Sequence, residues 1–269
     1  MNLLRRSWLV GLLAAASLLA GCGALAPVVE PDVRQALAPT GRLRVGVYPG
    51  SPTSMVVDAK TGQKVGVAYE LGRELARQLG VPFEPVEYRR VAEVIDAMKA
   101  GTVDFTFTNA SAARAKLVDF TDPLIDLELG YLVLPSSRLQ NLADVDAPGM
   151  KIGVSQGSTS QGTLTQAYKT ATVVPVASLK IGAEMLTQGQ LHAFATNKAI
   201  LFEMADGLPG ARVLDGRWGL EHLAIAVPKG RERGLPFVRA FAAQAQASGR
   251  LQAIVQQAGL RGTAPAVAP

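Results

Sequence analysis

An α/β fold built on mostly parallel strands is the architecture this chain predicts, and three observations carry it. Between residues 41 and 107, strand-like and helix-like patterns alternate: strand, helix, strand, helix, strand. That order favours parallel pairing, because a chain returning to the same end of a sheet needs a crossover. Aromatic residues make up only 6% of the chain while aliphatic residues abound, a composition suited to buried parallel strands. Without the leader described next, about 240 residues remain, enough for one large core or two smaller ones.

Residues 1–21 read as a targeting segment. Arg5 and Arg6 form a basic start, and the apolar run from Trp8 to Ala20 is too short to span a membrane comfortably. Leu19-Ala20-Gly21-Cys22 resembles a lipobox. The resemblance implies lipidation of Cys22 and a mature chain tethered to a membrane by acyl groups, with ordinary cleavage near Ala26 as the alternative. Cys22 is the only cysteine, so an exported domain has no internal disulfide and depends on its packed core. Residues 22–40, rich in Ala, Pro and Val without a clear period, read as a linker.

Gly41 to Tyr48 is the first strand, and residues 49–64 form a loop with turns at Pro49-Gly50 and Thr61-Gly62. Val67, Leu71, Leu75 and Leu79 recur every fourth residue and place one apolar face on a helix that Gly80 stops. Val81 to Tyr88 is the next strand. Val91, Val94, Ile95 and Met98 mark a second helix, stopped by Gly101. The alternation Val103-Asp104-Phe105-Thr106-Phe107 is the third strand. It ends in Thr108, Asn109 and Ser111, followed by Arg114. Parallel sheets bind ligands at the carboxyl ends of their strands, and a guanidinium matches both oxygens of a carboxylate. The bland alternative is a surface arginine on a short helix.

Leu127 to Leu134 is an apolar strand. Lys151 to Ser155 is another, turning at Gly157 and opening a helix at Ser158. Free N–H groups at a helix start attract anions, and the hydroxyls of Ser158 and Thr159 add donors. Simple N-capping by Ser158 is compatible with that reading. Thr172 to Val176 is a strand, Leu179 to Leu186 a helix, and Ile200 to Ala205 a helix with a Pro209-Gly210 turn beyond it. Leu235 to Ala247 and Leu251 to Ala258 are C-terminal helices, and residues 263–269 form a tail.

Several motifs together resemble the family 3 solute-binding proteins of bacterial ABC importers. They are, in order, Ser111-Ala-Ala-Arg114, Asp119-Phe120-Thr121-Asp122-Pro123, Val154-Ser-Gln-Gly-Ser-Thr159, Gly189-Gln-Leu-His-Ala193 and Ala226-Val-Pro-Lys-Gly230. The resemblance covers residues 41–262. It implies two α/β lobes, 41–128 plus 222–262 and 129–221, joined by two hinge crossings and closing on a solute that a membrane permease receives. It implies that Arg114, Ser111, Asn109 and Thr108 from the first lobe, and Ser158, Thr159 and Asn197 from the second, touch the ligand. An aromatic near Met55 often packs on the ligand in relatives, so Met55 and Tyr48 are candidates, with core packing as the alternative for each. It also implies a monomer in the periplasm or cell envelope.

Asn197 is a departure. Amino-acid binders of this family carry Asp there to pair with the α-ammonium, and here Lys198 stands beside a neutral amide. A buried cation without a counter-charge is costly. The expectation is therefore a carboxylate or other anionic solute without an α-amino group, with Lys198 on a solvated helix start.

Two rival readings are enzymatic. Gly153-Val-Ser155-Gln-Gly157 fits the G-x-S-x-G nucleophile elbow, and Asp215 and His222 follow in hydrolase order. Secreted cyclohexadienyl dehydratases also share the resembled fold. A ligand-sensing lipoprotein is a third possibility. Two His and an acylated Cys make no zinc cluster, and no cofactor is expected. The charge, +5 overall, carries no basic run of the kind that binds nucleic acid.

Overall fold

The computed structural model describes residues 29–264. The targeting segment and Cys22 lie outside the described residues. Among those described, the elements follow one another as α1 (Pro31–Leu37), β1 (Leu43–Val47), β2 (Val56–Val57), β3 (Lys64–Val65), α2 (Val67–Leu79), β4 (Phe83–Glu87), α3 (Val91–Lys99), β5 (Thr106–Asn109), α4 (Ala112–Ala115), β6 (Val118–Phe120) and β7 (Ile125–Val133). After them come β8 (Lys151–Ser155), α5 (Thr159–Ala167), β9 (Thr172–Val176), α6 (Leu179–Thr187), β10 (Ala193–Asn197), α7 (Lys198–Asp206), β11 (Arg212–Val213), β12 (Gly219–Pro228), α8 (Leu235–Ala247) and α9 (Arg250–Gln257). None of the described helices is long and apolar enough to cross a membrane.

One sheet runs continuously in the order β5-β12-β7-β10-β8-β9, with β1 and β4 paired separately, and its two ends belong to different lobes. In the first, β1 pairs parallel with β4, and a parallel bridge at Val45 and Phe105 ties β1 to the segment leading into β5. In the second, β8 pairs parallel with β9 and β10. The antiparallel members are the strands that carry the chain between lobes. β7 runs against β10, β12 runs against β5 and β6, and β7 and β12 pair with each other from Ile125↔Leu223 to Leu129↔Gly219. Each lobe is thus parallel inside and closed by an antiparallel crossing strand, because that strand returns from the other lobe.

The helical period of α2 is realised in full: Val67, Leu71, Leu75 and Leu79 are all buried against Val45, Val47 and Phe105 of the first core. Gly80 takes the left-handed conformation, φ +66°, and its N–H closes the helix on Ala76 and Arg77 carbonyls. Asp104 anchors the same lobe. Its buried carboxylate accepts from the backbone N–H, Nε and Nη2 of Arg44 and from Nη2 of Arg231.

Two stretches differ from expectation. Residues 29–38, taken from sequence as linker, pack onto the first lobe. Pro31 occupies the first turn of α1, where a missing N–H costs nothing. Val29 and Leu37 join the core, Arg231 donates to the Ala36 carbonyl and Arg233 pairs with Asp32. The loop at 49–64 contains the short hairpin β2–β3.

The lobes meet face to face. Tyr48, Val91 and Val94 of the first share a cluster with Leu132, Val176, Leu179 and Phe194 of the second. Arg90 Nη1 donates to the Ala177 carbonyl at 3.3 Å. At Gly157, φ +73°, the chain passes so near α3 that a Cβ there would lie 2.6 Å from Cβ of Ala92.

Candidate functional site

Between the lobes lies a cavity of about 30 Å³; single waters need roughly 10–15 Å³ by this measure, so the closed cleft suits a small guest. β5 delivers the first group of lining residues. Phe105 and Phe107 point into the core, so strand alternation turns Thr108 to the other face. The chain then breaks at Asn109. Ser111 accepts from the backbone N–H of Arg114 and caps α4, which aims Arg114 back over the strand end. The buried guanidinium donates from Nη1 to Thr108 Oγ1 at 2.6 Å. That is its only side-chain hydrogen bond among the described residues, leaving most of its five donors uncommitted. Burial pulls the Arg114 pKa down, and the Glu221 carboxylate and Tyr48 oppose that shift.

The second lobe supplies a helix start. β8 ends at Ser155, the chain turns at Gly157, and Ser158 accepts from the Gln161 N–H to cap α5. Ser158 and Thr159 line the cavity beside Ser155. β10 ends in Thr196 and Asn197, and Asn197 Oδ1 caps α7 by accepting from the Ile200 N–H at 3.1 Å. Val91, Leu179, Ile200 and Leu223 form the apolar wall.

Glu221, on β12, is the group sequence reasoning missed. It is 7% exposed and lines the cavity. Its Oε1 accepts from Thr159 Oγ1 and its Oε2 from Asn197 Nδ2, both at 2.9 Å. Asn109 extends the network, donating from Nδ2 to Thr159 at 3.3 Å and accepting from the His222 N–H at 3.1 Å. A signal for Glu221 existed: Glu221, Leu223, Ile225 and Val227 alternate along one strand with His222 facing out, so the acid shares the phase of the buried residues.

Thr108, Asn109, Arg114, Ser158, Thr159 and Asn197 thus come together around one cavity, joined by Tyr48. Burial holds the Tyr48 phenol above its ordinary pKa. Two expected site residues stand elsewhere. Met55 is buried in the first core beside Val47 and Val67, because the chain bends inward at 51–55, where Ser54 Oγ accepts from the Tyr48 N–H. Ser111 is spent on capping α4 and does not line the cavity. Lys198 is also corrected. Its ammonium lies on Glu128 at 2.6 Å, where Arg217 joins at 3.0 Å, so its charge is neutralised on the crossing strand β7.

The hydrolase geometry is absent. Ser155 lines the cavity, but His222 faces the opposite side of β12 and pairs through Nδ1 with Asp126 at 2.7 Å. Asp215 is exposed and away from the lining.

The pattern of the bacterial extracellular solute-binding proteins, family 3, matches residues 43–260. The chain belongs to this family. Membership makes it a solute-binding protein of the amino-acid ABC transporter type, from a family that works with ABC permeases and is placed in the periplasm or cell envelope. It is similar to an ABC transporter glutamine-binding protein of Bacillus subtilis, 22% identical with 90% of this chain and 92% of that one covered. Among solved structures it resembles the solute receptor for L-cysteine of Neisseria gonorrhoeae, at 26% identity and TM-score 0.74, with 84% of this chain and 92% of that one covered. It also resembles an ancestral amino-acid-binding protein described as a precursor of cyclohexadienyl dehydratase, at 24% identity and TM-score 0.72, with 83% and 98% covered. The fold of this solute-binding protein is therefore shared with proteins that bind different amino acids.

Proposed function

We propose that this protein captures a small carboxylate-bearing solute in a closing cleft and delivers it to a membrane permease without transforming it. The observation that carries the reading is Arg114. A guanidinium buried between lobes, with one hydrogen bond to protein, has its donors free for two carboxylate oxygens. The α5 start at Ser158 and Thr159 faces the same cavity and adds backbone donors and a favourable dipole. Asn109 bridges to Thr159 and favours the closed state when a solute draws the lobes together, and Asn197 orients the far end. The lobes are residues 41–128 plus 222–262 and residues 129–221. They rotate about β7 and β12, and the closed shape is what the permease reads. The protein acts as a monomer held to a membrane through lipidated Cys22.

A thermal-shift screen of amino acids, keto acids, dicarboxylates and phosphonates tests this. A true solute at about one hundred times its Kd stabilises by roughly 2.7 kcal/mol. For a chain of this size that raises Tm by roughly 5–10 °C. No shift across the panel would refute the carboxylate reading. Turnover of prephenate, or of an ester with loss on Ser155→Ala, would instead establish an enzyme.

A further inference from the structure

We infer that Glu221, on β12 and separated from Asn197 on β10 by β7, is the ammonium site of this cavity, so that the solute is zwitterionic. The inference rests on the carboxylate reading of Arg114 and extends it to the ligand's other end.

Glu221 is an acid buried on the cavity wall with no Lys, Arg or His ion-pair partner among the described residues. Lys198 and Arg217 are both spent on Glu128. Arg114 shares the cavity and feels the Glu221 carboxylate through space, but its hydrogen bond goes to Thr108. The Glu221 carboxylate thus has two neutral donors and a guanidinium in its cavity that makes no hydrogen bond to it, which leaves it under-satisfied for a buried charge. A carboxylate accepts about four hydrogen bonds, and Thr159 and Asn197 supply two. A primary ammonium brings three donors and fits the remainder.

Asn197 then has a role distinct from that of Asp. Its Nδ2 holds Glu221 Oε2 at 2.9 Å while its Oδ1 caps α7, so it positions the acid. Arg114 and Glu221 together give the cavity one positive and one negative pole. A zwitterion satisfies both, whereas a plain carboxylate leaves Glu221 facing a guest of like charge.

Matched pairs test the idea on the full-length protein by calorimetry: L-glutamine against glutaramate, L-cysteine against 3-mercaptopropionate and L-alanine against propionate. The expected result is that, for whichever skeleton fits, the amino acid binds wild type at least thirtyfold tighter than its des-amino partner. Glu221→Gln shrinks that ratio below about threefold. The exchange Glu221→Gln with Asn197→Asp moves the acid across one hydrogen bond and restores the preference for the amino acid. Equal binding of the two partners by wild type overturns the inference while leaving the carboxylate reading intact. So does an undiminished ratio in a folded Glu221→Gln protein. If no carboxylate of any pair binds wild type, the Arg114 reading fails and this inference with it. Should Glu221→Gln fail to fold, the wild-type ratio and the double exchange decide the matter.

Discussion

Replacing Arg114 with Ala is the sharpest perturbation of the proposed site. The guanidinium is buried and, among the described residues, hydrogen-bonded only to Thr108, so a carboxylate guest would receive two parallel charge-assisted bonds. At the low end of about 1.5 kcal/mol each, their loss costs about 3 kcal/mol, or roughly 150-fold in Kd. Part of this is returned, because the variant no longer buries a guanidinium. Burial is the main influence on the Arg114 pKa, and it disfavours the charge. At least a tenfold weakening, about 1.4 kcal/mol, should therefore survive. Arg114→Lys keeps the charge but offers one ammonium in place of a planar fork, so it should fall between wild type and Ala. Isothermal calorimetry with the strongest solute from the thermal screen measures all three. The ligand-free Tm of Arg114→Ala should equal or exceed that of wild type. An affinity within threefold of wild type in the Ala variant would refute the reasoning, since no counter-ion for the carboxylate would then be needed at this position.

Asp104→Asn leaves Arg44 and Arg231 without their buried partner; stability should drop by about 3 kcal/mol, read as a lower urea midpoint with unchanged m-value. Gly157→Ala places a Cβ 2.6 Å from Ala92 in a left-handed conformation. It should hinder closure and weaken solute binding roughly tenfold, about 1.4 kcal/mol, and unaltered calorimetric affinity would contradict this. The Asp146 carboxylate accepts from the N–H groups of Ala171, Lys169 and Thr170, which hold its pKa well below the ordinary 3.8. Native Asp146 therefore binds fewer protons than the unfolded chain, so its contribution is complete above about pH 4 and fades as pH falls toward the depressed value. Asp146→Asn should lower the urea midpoint at pH 7 and lessen the loss between pH 5 and 2; equal pH profiles would show that the carboxylate contributes nothing.

Much of the scaffold could be read in the residues because local rules and tertiary packing agree there. The four-residue spacing of Val67, Leu71, Leu75 and Leu79 and the stop at Gly80 needed no knowledge of neighbours. The crossing strand β7 was readable for a similar reason: Leu129, Tyr131, Leu132 and Val133 form an apolar run, and all four are buried, whereas β12 was legible only through its likeness to a family motif. Met55 was misplaced because a buried apolar side chain near a cleft can face either the core or the guest, and only the bend at 51–55 decides between them. Glu221 was overlooked because its importance comes from Thr159 and Asn197, which lie 62 and 24 residues away in sequence. The Ser155 elbow shows the converse. Its five residues fit a catalytic pattern, yet strand alternation sends His222 to Asp126 on the outside. Helix α1 was missed because seven residues offer too little periodicity to register against an Ala- and Pro-rich background.

The seating of α1 also fixes a load path. Leu37 wedges under Gly234, where a Cβ would come within 2.5 Å of it. Arg231 ties the Ala36 carbonyl to Asp104. A pull on α1 would meet these contacts, in the lobe that carries Arg114, before it met β7 or β12.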